Sequence, residues 1–242
     1  MSMRRSFRTG LVLAAVGTLL AGCDSAPEPD ALFPLAAGLE WQYRVTTRPH
    51  GEDPRDSRLT MSNVERGYFA GEEDILIRRN QHGTRYYIAE REDGLYRVAV
   101  KSVAQTVPIM DQPPVRILPR PVETGQRWRA PAHTYLLGRA RTFISDHAPG
   151  NTIDLDYHIE ATDAEIEVPA GRYSDCVLAV GRASFHLDAE TGFAASDVPI
   201  EQREWYCPGV GLTRLSRDER LTSGDRTITG GRIEIVLTGA PG

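Results

Sequence analysis

Asp154-Leu155-Asp156-Tyr157-His158-Ile159-Glu160 alternates charged or polar with apolar side chains without a break. In an extended chain successive side chains take opposite faces, so Leu155, Tyr157 and Ile159 share one face while Asp154, Asp156, His158 and Glu160 share the other. The segment reads as a strand with one wet face. Ile233, Ile235 and Leu237 alternate with Arg232, Glu234 and Val236 in the same manner. Tyr86-Tyr87-Ile88 and Leu95 to Val100 flank Asp93-Gly94, a dipeptide that readily takes the positive φ of a hairpin turn. Further turns are marked by Gln81-His82-Gly83, Pro149-Gly150-Asn151, Thr191-Gly192 and Ser223-Gly224-Asp225.

After the first 22 residues no window of a dozen sustains a helical period with caps, and the Pro-rich stretch from Pro108 to Pro121 forbids one in the middle. The pattern predicts a mainly β fold of about ten to twelve antiparallel strands. Open twisted sheets of that size curl, which predicts a single curved sheet over 33–240, half-barrel or barrel-like. An internal echo runs through it: Pro34-x-x-x-Gly38-x-x-Trp41 recurs as Pro121-x-x-x-Gly125-x-x-Trp128. Either the chain is built of two similar halves, each with a turn glycine and an inward Trp, or two loop-to-strand transitions coincide.

At the N-terminus Arg4, Arg5 and Arg8 precede the apolar run Leu11 to Ala21 and then Leu20-Ala21-Gly22-Cys23. The run is too short to span a bilayer, which needs ~20 apolar residues, and the layout is that of an export signal. It resembles a bacterial lipoprotein signal peptide over 1–22. The resemblance implies cleavage before Cys23 and lipidation of that cysteine, with palmitate among its acyl chains, so that a membrane-tethered domain faces the periplasm. Asp24 leans towards inner-membrane retention in enteric bacteria, with the outer membrane as the alternative. Residues 23–32 read as a flexible, acidic, Pro-containing tether.

Removing Arg4, Arg5 and Arg8 with the signal leaves 25 basic against 33 acidic side chains, a net charge of −8. Such a chain is a poor partner for nucleic acid or anionic lipid heads. In an oxidising compartment Cys176 and Cys207, which form no CxxC and sit in no Cys/His cluster, read as a structural disulfide, with two separate buried thiols as the alternative.

Three stretches then occur in order: Phe33-Pro34-Leu35-Ala36-Ala37-Gly38-Leu39-Glu40-Trp41-Gln42-Tyr43, Val168-Pro169-Ala170-Gly171-Arg172-Tyr173, and Cys207-Pro208-Gly209-Val210-Gly211-Leu212. Together they resemble the exported, uncharacterised DUF3108/TapB-like group. The resemblance implies a curved antiparallel β domain with no established activity. Cys207 stands where that group carries Ala, which favours its pairing with Cys176.

Nothing in the sequence identifies an enzyme, a metal or a cofactor. His50, His82, His133, His147, His158 and His186 show no pair at metal spacing. Asp154, Asp156 and His158 share a strand face that reads as solvated, and Glu165 and Glu167 read likewise rather than as a glycosidase pair. There is no G-x-S-x-G elbow. The expected role is a non-enzymatic binding or scaffold module for an apolar ligand or an envelope protein; an envelope hydrolase acting on polysaccharide or peptidoglycan, and a purely structural domain, are the alternatives. Phe33, Trp41, Tyr43, Trp128, Phe143, Tyr157, Phe185 and Trp205 are the rings expected on the concave face, either filling it or lining a groove.

Overall fold

The computed structural model describes residues 30–137, 152–187, 196–223 and 225–241. The signal, Cys23, most of the tether, Phe143, His147 and the turn signals Pro149-Gly150-Asn151 and Thr191-Gly192 lie outside the described residues. Twelve strands follow one another: β1 (Glu40–Pro49), β2 (Arg55–Phe69), β3 (Glu72–Asn80), β4 (Arg85–Arg91), β5 (Gly94–Lys101), β6 (Ile109–Pro119), β7 (Arg127–His133), β8 (Thr152–Val168), β9 (Gly171–Leu187), β10 (Ser196–Cys207), β11 (Gly211–Ser223) and β12 (Arg226–Gly239). They form one antiparallel sheet in the order β6-β5-β4-β3-β2-β1-β12-β11-β10-β9-β8-β7. The sheet curls until its two edges, β6 and β7, lie side by side without sharing a ladder. The fold is a nearly closed barrel with one unzipped seam.

The seam falls where the sequence can tolerate it. Pro113, Pro114 and Pro119 on β6 and Pro131 on β7 lack the N–H a ladder needs, and proline in sheets is confined to edges for that reason. The same prolines that exclude a helix therefore build an edge strand. Asp93-Gly94 turns β4 into β5 as its composition requires, with Gly94 at φ 152°.

The order also divides the barrel into two six-stranded meanders, β1–β6 and β7–β12, joined by the β1–β12 ladder. The repeated motif opens each half with the same backbone pattern. Gly38 (φ 88°) and Gly125 (φ 87°) occupy equivalent left-handed positions. Gly38 N–H donates to the Asn63 carbonyl at 2.8 Å and Asn63 N–H to that of Leu39 at 2.8 Å; Gly125 N–H donates to Ile159 at 2.8 Å and Ile159 N–H to Gln126 at 3.0 Å. Trp41 and Trp128 are both buried three residues on. The echo thus marks two halves of like construction.

Leu155, Tyr157 and Ile159 point inward as their alternation predicts and join Leu76, Ile88, Val115, Trp128, Val177 and Ile200 in the main core. Each such side chain contributes roughly 1.5–3 kcal/mol on burial. Tyr157 is held on both sides. Its ring stacks on Trp128 at 4.9 Å, and it lies over its cross-strand neighbour Gly181, where an added Cβ would come within 2.7 Å of the ring. Gly181→Ala should therefore dislodge the tyrosine and cost about 1–3 kcal/mol, measurable as an earlier urea midpoint at unchanged slope. A midpoint within experimental scatter of wild type would contradict this packing.

One ring is on the other side from its expected place. Trp205 alternates with Glu204 and Tyr206, which line the interior, so it faces outward, where the Arg214 guanidinium lies 5.2 Å from its ring. It packs there with the cluster around the Cys176–Cys207 bond.

Candidate functional site: an interior cavity with one polar wall

One end of the barrel is shut by the chain's own lead-in. Gly209 N–H donates to the Ala31 carbonyl at 3.0 Å, Trp41 Nε1 to the Val210 carbonyl at 2.6 Å, and Tyr43 Oη to that of Leu212 at 3.0 Å. Pro34 closes against Gly211, where a side chain would bring a Cβ within 3.2 Å of the proline ring. From the β8–β9 turn, Ala170 N–H reaches the Leu237 carbonyl at 3.2 Å. The three motifs quoted above, distant in sequence, therefore meet in one cluster with the Cys176–Cys207 disulfide, whose Sγ atoms are 2.01 Å apart.

Arg78 fastens the lead-in from within. Its Nε donates to Asn63 Oδ1 at 2.8 Å and its Nη2 to the Pro34 carbonyl at 3.3 Å, while Asn63 Nδ2 donates to the carbonyls of Pro34 and Ala36. The guanidinium lies 4.0 Å from the Phe33 ring and 4.4 Å from the Trp41 ring, a double cation–π contact. Burial without a carboxylate beside it lowers its pKa to about 10. Burial likewise raises the neighbouring Tyr43 phenol.

Towards the opposite end the barrel is hollow. A cavity of about 830 Å³ lies within the curl, in the size range of small-molecule sites. Much of its wall is apolar, supplied by Val45, Leu59, Val115, Leu215, Ile233 and Ile235. Exposed Met110 and Tyr135 stand at its mouth beside the β6–β7 seam.

The wall made by β8, β10 and β11 is polar and buried. Glu204 accepts from Tyr157 Oη at 3.0 Å, from Tyr206 Oη at 2.5 Å and from the Gln202 amide, which also donates to Tyr157 Oη at 2.8 Å. Burial, and after it the adjoining Glu204 carboxylate, push both phenols well up, so they stay protonated and serve as donors. Arg217 donates from Nε to Glu219 at 2.5 Å, from Nη1 to Gln202 Oε1 at 2.8 Å and from Nη2 to the His133 carbonyl at 2.9 Å. Glu219 in turn takes the backbone N–H groups of Tyr135, Leu136 and Leu137 at 2.8–3.3 Å. This pair fixes the chain after β7 at the rim.

The residues singled out from sequence lie elsewhere. Asp154 and Asp156 are exposed on the outer face; Asp156 pairs with Arg129 at 2.8 Å, and His158 is 3.9 Å from Glu160. Glu165 and Glu167 are exposed, with Arg172 beside Glu167 at 2.9 Å. Among the described residues no three His, Cys, Asp or Glu side chains are grouped to hold a metal.

The buried wall lies among residues that look solvent-facing one at a time, although the parity of its strands carries the signal. Val198 and Ile200 set the inward face of β10, and Gln202 and Glu204 fall on the same parity before Tyr206 restores it. Leu215, Arg217, Glu219 and Leu221 repeat the lapse on β11.

No family model matches the chain, and no curated protein does. Two solved structures are similar over much of their length. A candidate lipoprotein from Parabacteroides distasonis shares 11% identity at a TM-score of 0.39, covering 86% of this chain and 97% of that one. A candidate exported protein with a YmcC-like fold from Bacteroides fragilis shares 11% identity at a TM-score of 0.37, with the same coverage. Neither overlap is close enough to carry an argument about role.

Proposed function

We propose that this is a lipid-anchored envelope protein whose barrel holds a small amphiphilic ligand. The observation that carries the binding role is the cavity itself, about 830 Å³ with an apolar wall facing a buried polar one. A protein that needed only a scaffold would fill that space, because interiors pack like organic crystals. The anchor rests on the lipoprotein-like run ending at Cys23. The lead-in from Asp30 enters at the shut end of the barrel, so the seven residues from Asp24 to Asp30, reaching at most ~25 Å, would hold the mouth away from the bilayer.

Both halves of the proposal are open to test. In a Gram-negative host the wild type should incorporate labelled palmitate and Cys23→Ser should not; equal labelling of the variant removes the anchor. An uncharged fluorescent naphthylamine should bind the full chain at micromolar concentration, and Leu215→Trp, which fills the cavity, should abolish that binding while the circular dichroism spectrum is retained. Equal binding by a folded Leu215→Trp variant would place the probe outside the barrel.

A further inference from the structure

Of the arginines that line the cavity, Arg58 is exposed to solvent and the other three are paired with carboxylates. Arg217 is neutralised by Glu219, and its side chain is 1% exposed against 0% for its partner. Arg97 is bound by Asp111 through both carboxylate oxygens, at 2.8 and 3.0 Å, and Arg116 is paired with Asp93. Arg78, the other interior cation, does not line the cavity and is engaged by Asn63, Phe33 and Trp41. Glu204 lines the cavity with 8% of its surface exposed, and all its partners are neutral: two phenols and an amide.

A carboxylate removed from water without a cation pays a large desolvation cost that neutral donors offset only in part. Its two oxygens offer about four acceptor sites, and three donors occupy them. One acceptor direction is left for a guest. The ring of Tyr206 lines the cavity beside it, and aromatic faces attract ammonium groups.

We propose that the cavity takes an amphiphile with a protonated amine held by Glu204 and its apolar body along Leu215, Ile233 and Ile235. This rests on the interior being a ligand site and adds the class of ligand. An anionic head, such as that of a fatty acid, would meet the Glu204 carboxylate on the buried wall and find Arg97, Arg116 and Arg217 already paired, with only solvent-exposed Arg58 left to it.

The test compares three probes of one chain length, dodecylamine, dodecanol and dodecanoate, below their micelle concentrations. Each is titrated into the full lipidated chain in detergent by displacement of the naphthylamine probe. Dodecylamine should bind at least tenfold more tightly than dodecanol, and dodecanoate more weakly than either. Glu204→Gln, which keeps the size of the side chain, should bring dodecylamine down to the level of dodecanol. If dodecanol or dodecanoate matches dodecylamine in the wild type, the amine assignment is wrong while the cavity remains a ligand site. Failure of all three probes, with no naphthylamine binding, would overturn both. The wild-type ranking alone decides the matter if the variant fails to fold.

Discussion

Glu219→Leu is expected to lower the unfolding free energy by about 3–5 kcal/mol, because it strands a buried guanidinium without its counter-charge. Arg217 and Glu219 are almost wholly removed from solvent, and Glu219 also carries three backbone N–H groups from Tyr135, Leu136 and Leu137. The substitution therefore removes a charge partner and releases the rim in one step. Adding Arg217→Met should recover only part of the loss. It takes away the stranded cation but leaves those three amides, the Gln202 oxygen and the His133 carbonyl without partners, and each unsatisfied buried group costs ~1–3 kcal/mol. Urea unfolding of wild type, single and double variants separates the two contributions. A single variant within about 1 kcal/mol of wild type would show that water reaches the pair.

The second large effect belongs to the disulfide. Cys176 on β9 and Cys207 on β10 stand beside the directly paired Val177 and Tyr206, with Cα atoms 4.2 Å apart and a sequence separation of 31. Closing a loop of that length stabilises by about 3–4 kcal/mol in the chain-entropy model. Cys176→Ser with Cys207→Ser should lose that amount, and reductant should shift the wild-type unfolding midpoint by a similar margin without shifting the variant's. The shut end should suffer first, since both cysteines pack there with Trp41, Val168 and Val210. Two alkylatable thiols in protein purified without reductant, or no effect of reductant, would contradict the bond.

The framework could be read from sequence because its rules are local. Alternation around Tyr157, the Asp93-Gly94 turn and the prolines from Pro108 to Pro121 fix a strand, a hairpin and the exclusion of a helix without knowledge of distant residues; that β6 is an edge emerges only from the sheet order. The repeated Gly-x-x-Trp was visible too, although only the matching bonds at Asn63 and Ile159 show that it opens two like halves. Size and apolar character point Trp205 to the inner face, yet its alternation with inward Glu204 sends it outward. The polar wall escaped notice for a related reason. Glu204, Arg217 and Glu219 look like solvent-facing charges one at a time, and their burial is produced by pairing across β8, β10 and β11 and by the backbone after β7. Those are contacts between segments as much as 84 residues apart, which no local pattern encodes.

A barrel that is hollow in order to be filled should carry its occupant out of the cell. Native mass spectrometry of the full chain, extracted from cells in mild detergent, tests this most directly. The expected spectrum shows the chain with a noncovalent companion that is shed on unfolding and is absent from Leu215→Trp. A spectrum in which wild type and Leu215→Trp both carry no noncovalent companion would contradict it.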